Sequence, residues 1–123
     1  MEQDISEIEI NGVKYVKKGS EQVNAVNSDG LEYVIIRADR AGAFAGYLVE
    51  KEGTEVTLIN ARRLWYWSGA ASLSELAING VKKPNDCKFP APNSKITVLG
   101  VIEIIPATET ARKIIEGVKI WQA

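Results

Sequence analysis

Three runs decide what this chain can fold into: LEYVIIRA (31–38), EVTLINARRLWYW (55–67) and ITVLGVIEII (96–105). Each has the length and β-branched content of a strand, and each is apolar on both of the faces a strand presents. Val34 and Ile36 alternate with Tyr33 and Ile35, Leu64 and Tyr66 with Trp65 and Trp67, and Val98 and Ile102 with Leu99, Val101 and Ile105. A sheet with one solvated face shows apolar and polar residues in alternation, so these runs predict a sheet covered on both sides.

The remaining segments supply partners for those strands. FAGYLVEKE (44–52) and 55–67 form a long hairpin pivoting near Gly53, and EIEINGVKYV predicts a second hairpin, with strands at 7–10 and 13–17 around Asn11-Gly12. KKGSEQVNAVNSDG (17–30) has no period and reads as an exposed loop. Pro106 ends the 96–105 run, and ATETARKIIEG follows with Thr108 as N-cap, Glu109 in the first turn and Gly117 as the stop. A second short helix starts after the aromatics, capped by Ser68 or by Ser72 with Glu75 in a capping box; Leu73, Leu76, Ala77 and Gly80 share its apolar face. VKIW (118–121) is expected as a closing strand. The fold class is therefore α+β, a predominantly antiparallel β-sheet with two short helices in a single domain: an N-terminal hairpin (1–17), a loop (18–30) and a sheet-and-helix core (31–123).

Two helices of about two turns cover one face of such a sheet. The other face then needs a second subunit or a ligand, which predicts a homo-oligomer, unless the N-terminal hairpin folds over it.

Composition removes several function classes. With 15 basic against 16 acidic residues the chain has no positive field for coating DNA. It contains no histidine and a single cysteine, Cys87, so neither a zinc nor an iron–sulfur spacing exists, the commonest neutral-pH base is missing, and no metal or cofactor is expected. No run is apolar enough to span a membrane, and no export pattern marks Met1–Gly12, so the cytoplasm is the expected compartment.

The arginines are Arg37, Arg40, Arg62, Arg63 and Arg112. Arg62 and Arg63 precede the helix start at SGAAS, where unpaired amides and the helix dipole favour anions. Arg112 sits in the first turns of the last helix, where a cation opposes the dipole, a placement that suggests use by a ligand. Guanidinium forks for phosphate beside aromatic faces for a base describe a nucleotide pocket. Phe89, between Pro84, Pro90 and Pro92 in VKKPNDCKFPAPNSK (81–95), is either a core plug or a presented stacking surface. Glu103 and Glu109 are the carboxylates an enzyme reading would need, but no motif joins them.

VIIRADRAGAFAGYL, NARRLWYWSGAASLSEL, CKFPAPN and VIEIIPATETARKIIE together resemble the first-described Thoeris anti-defence proteins of phages, over about residues 31–123. The resemblance implies a non-enzymatic sponge that binds glycocyclic ADP-ribose, the messenger of bacterial TIR-domain enzymes, in the cytoplasm of the infected host and withholds it from its effector. It implies homo-oligomers, hexamers built from dimers, and in some members a second site for cyclic oligonucleotides. It places an aromatic against adenine and arginines with small polar groups around the pyrophosphate and riboses; the matching positions are Phe89, Arg37, Arg62, Arg63, Thr108 and Arg112, with Asn93 and Asn85 nearby in the same loop. The alternative is a small structural or assembly protein of a phage, for which apolar sheet faces and self-association suffice.

Overall fold

In the computed structural model, which describes residues 23–123, the strand-forming runs fold into five strands: β1 (Tyr33–Ala38), β2 (Gly42–Glu52), β3 (Glu55–Arg63), β4 (Asn93–Val98) and β5 (Val101–Pro106). They form one antiparallel sheet in the order β4-β3-β2-β1-β5. Helix α1 (Leu73–Asn79), a 3-10 turn at Pro84–Asp86 and helix α2 (Glu109–Gly117) complete a single α+β domain. The hairpin expected at 7–10 and 13–17 lies outside the described residues. Among the described residues no helix is long and apolar enough to cross a membrane.

The 96–105 run is two strands, not one. Gly100 takes a φ of 74°, a left-handed conformation open to glycine at little cost, and the chain turns a corner at Leu99-Gly100. β4 and β5 then occupy opposite edges of the sheet although two residues join them. That is possible only because the sheet curls. The corner is tied to both neighbouring hairpin turns, with Asp39 N–H donating to Gly100 O at 2.8 Å and Val101 N–H to Thr54 O at 2.9 Å. Register shifts between Ala45 and Tyr47 and between Leu48 and Glu50 tighten the twist of the β2–β3 hairpin. A Cβ on Gly46 would lie 2.9 Å from Cα and Cβ of Ala61, so that crossing admits no side chain.

Curling also settles the two apolar faces. On one, Tyr33, Ile35, Ala45 and Tyr47 pack with Leu76, Ala77, Phe89, Ala111 and Ile115 beneath the helices. On the other, Val34, Ile36, Phe44, Val56, Leu58, Val98 and Val101 from all five strands bury one another. Each face thus carries a buried cluster within the chain, while Leu99 and Ile102 of the 96–105 run stay exposed.

The helix ends follow their caps. Ser72, not Ser68, caps α1: its Oγ accepts from Glu75 N–H at 3.2 Å while Glu75 Oε1 accepts from Ala71 N–H at 2.8 Å. Thr108 caps α2, its Oγ1 accepting from Ala111 N–H at 3.0 Å. Three sequence expectations shift. β3 ends at Arg63, so Leu64–Trp67 leave the sheet; VKIW forms no strand, its strand-like pairing being one parallel bridge, Phe89 with Ile120; and the described part of the 18–30 loop docks, with Ala25 buried and bonded to Ala107 and Tyr33.

Candidate functional site

The expected ligand residues are placed in several regions. Arg62 and Arg63 emerge on opposite faces of β3, opposite Ala45 and Phe44 respectively. Arg62 is 2% exposed, and its guanidinium donates to four main-chain carbonyls: Nε to Pro90 O (3.0 Å), Nη1 to Ile115 O (2.9 Å) and Val118 O (2.7 Å), and Nη2 to Phe89 O (2.7 Å). It thereby caps the C-terminal end of α2 and fastens the proline loop to it. Burial lowers its pKa from the ordinary arginine value. With four of five N–H groups occupied in the interior, Arg62 has no fork to offer a phosphate.

Phe89 is fully buried, with the Arg62 guanidinium carbon 5.6 Å from its ring centroid. It is the core plug rather than a surface for stacking a base. Thr108 is also buried, and besides its capping bond its hydroxyl donates to Ile78 O at 2.6 Å, holding α1 to α2. Arg112 pairs with Glu109 and Glu116 on its own helix, which gives its dipole-opposed position a structural reason. Arg37 pairs across strands with Glu103 at 2.9 Å, at the surface. Arg63 lies over the Phe44 ring, 4.4 Å from its centroid, and Asn93 opens β4, exposed, opposite Ala61. The seven residues do not line a common pocket.

The Arg112 cluster carries a pH dependence. The Arg112 hydrogen bond holds the Glu109 carboxyl below the usual glutamate value, while burial and then Glu116 raise the Tyr47 hydroxyl, which donates to Glu116 at 3.3 Å. A depressed carboxylate stabilises the fold above its unfolded pKa and loses that contribution as pH falls through the folded one. Denaturant midpoints measured from neutral to acidic pH are therefore expected to fall less steeply in Arg112→Gln than in the wild type over that range.

A different surface collects the exposed aromatics. Leaving β3, the chain pairs Tyr66 with Lys88 (Lys88 N–H to Tyr66 O, 2.7 Å), and the C-terminal segment joins them through Trp121 N–H to Phe89 O at 3.0 Å. Tyr66 (51% exposed) and Trp121 (43%) are thus held at the surface by main-chain bonds, with Trp65 (63%) beside Tyr66 in the chain. The Trp65 and Trp121 rings are within 7° of parallel with centroids 6.5 Å apart, and the Lys88 ammonium lies 5.8 Å from the Tyr66 ring and 5.7 Å from that of Trp121. Beside them is a pocket of about 390 Å³, lined by Asn85, Cys87, Lys119, Trp121 and Gln122 among others. Sequence reasoning placed Trp65 and Tyr66 on a strand and missed this surface; the signal was the WYW run sitting next to turn residues, with IW at the other end of the chain.

A pocket of that size lined by Trp121, Lys119 and two carboxamides, with Lys88 over the Trp121 ring, suits a planar, anionic ligand such as a nucleotide. A family model described as a domain of unknown function (DUF6948) matches residues 31–115 of the chain. No curated protein and no solved structure matches it significantly.

Proposed function

The chain belongs to the DUF6948 family, and we propose that it is an anti-defence sponge: it binds a cyclic nucleotide messenger of the glycocyclic ADP-ribose type in the infected cell and holds it without degrading it. The resemblance in the arginine–aromatic block supports the ligand, and the aromatic surface supports a place for it. The observation that carries the reading is the parallel Trp65–Trp121 pair, with Lys88 over the Trp121 ring and Trp121 itself lining the pocket that runs from Asn85 to Gln122.

In this reading adenine stacks on an indole, the pyrophosphate meets Lys88 and Lys119, and the carboxamides of Asn85 and Gln122 hydrogen-bond ribose or base edges. Lysines act here as point charges where arginine forks were expected. Nanomolar binding requires about −12 kcal/mol. A base stack contributes roughly 1–3 kcal/mol and each charge-assisted hydrogen bond about 1.5–3, so a few of each suffice when the surface is preformed. The main-chain bonds from Tyr66, Lys88 and Trp121 supply that rigidity. The hexamer built from dimers that the resemblance implies belongs to this proposal, with a second copy closing the open side of the pocket.

Calorimetric titration of the purified protein with glycocyclic ADP-ribose tests the proposal. Saturable binding is expected. A flat trace would return the exposed aromatics to the alternative, a contact surface of a phage assembly protein.

A further inference from the structure

We infer that a second cleft, remote from the aromatic surface, binds a small apolar monocarboxylate. It has a volume of about 590 Å³ and opens between the β1–β2 turn with Phe44 and Arg63 on one side and β4 with its corner on the other. The size falls within the range of small-molecule sites. Ile96, Val98 and Leu99 give it an apolar wall, and Leu99 at its rim is 63% exposed, a large aliphatic side chain left without cover.

The charges in the cleft select the head group. Arg63 is fixed there: its guanidinium carbon lies over the Phe44 ring, 4.4 Å from the centroid, and Nη1 donates to Ala41 O at 3.0 Å. Ala41 O takes one of its five N–H groups, and the others form the fork through which arginine grips a carboxylate with two parallel hydrogen bonds. Arg40 and Asp39 also line the cleft, so two positive charges against one negative leave a net charge of one, which complements a monoanion better than a phosphate dianion. An apolar tail along Ile96 and Leu99 with its carboxylate on Arg63 satisfies the wall and the charge together.

Calorimetry on the full chain tests this, with octanoate as probe, octanol to keep only the tail, and inorganic phosphate to keep only charge. Octanoate is expected to bind saturably, with octanol and phosphate weaker by about tenfold or more. Arg63→Gln and Leu99→Asp should each lower octanoate affinity by about tenfold. Leu99→Asp changes an exposed residue and should leave the melting temperature unaltered, so the test stands even where Arg63→Gln unfolds. Absence of octanoate binding, binding of octanol or phosphate as tight as that of octanoate, or undiminished octanoate binding by Leu99→Asp would overturn the inference. None of these outcomes depends on whether the protein binds a nucleotide.

Discussion

Arg62→Ala is expected to destabilise the protein by about 3 kcal/mol, lowering the melting temperature by roughly 15 °C. The substitution leaves four carbonyls, of Phe89, Pro90, Ile115 and Val118, without their donor. Each buried acceptor deprived of its partner costs on the order of 1–3 kcal/mol, and water entering the space left by the side chain recovers part of the sum. Against a total stability of about 5–15 kcal/mol the remainder is a large share. Arg62→Lys restores charge but not the planar fork, and its three donors cannot reach four acceptors in two directions, so it should fall between alanine and wild type. Thermal melts followed by circular dichroism decide: an alanine variant melting within about 3 °C of wild type would show the guanidinium to be dispensable to the fold.

Trp121→Ala is the substitution expected to act most strongly on ligand affinity while sparing the fold. Trp121 is partly exposed, close to the chain end, and held through its backbone, which alanine preserves. Losing one stacking face should weaken binding of glycocyclic ADP-ribose by about 10- to 100-fold, with an unchanged circular dichroism spectrum. Trp65→Ala should act in the same direction, and Lys88→Ala should do so with a reduced dependence on salt. Phe89→Ala cannot serve as this probe. Emptying a fully buried aromatic site costs about 3–5 kcal/mol, so loss of binding in that variant would report unfolding. Unchanged affinity in the Trp65→Ala, Trp121→Ala double variant would place the ligand elsewhere.

What could be read from the sequence was what depends on local chemistry. Thr108 and Ser72 with Glu75 mark their helix starts because a cap is a contact within four residues. Of the both-faces-apolar runs, 31–38 is buried on two sides, whereas 96–105 forms the two edge strands and leaves Leu99 and Ile102 exposed. The break at Gly100 was hidden because the residues before and after it carry the same β-branched pattern, and only pairing with distant strands distinguishes one long strand from two at opposite edges. The exit of the chain from β3 at Arg63 was hidden for a similar reason, since Trp and Tyr favour strands wherever they lie.

The candidate site was legible as a kind of chemistry more than as a set of positions. Arginines beside aromatics suggested phosphates and a base, but charge in a sequence does not reveal its partner. Arg62 faces main-chain carbonyls from a loop and a helix tens of residues away, and Arg112 faces two glutamates of its own helix. Phe89 could be plug or platform from composition, and the packing beneath α2 made it the plug. Trp65, Tyr66 and Trp121 lie outside the five-stranded sheet and stay at the surface, a consequence of tertiary pairing that periodicity does not encode.

Retention of an unaltered messenger is the direct test of a sponge. Protein in slight excess is mixed with glycocyclic ADP-ribose, the mixture is passed through a membrane that retains protein, and the filtrate and the heat-denatured retentate are each analysed by mass spectrometry. The filtrate should be depleted and the retentate should release the intact cyclic molecule in matching amount. A filtrate with the messenger undiminished, or a retentate yielding linear fragments, would contradict sequestration.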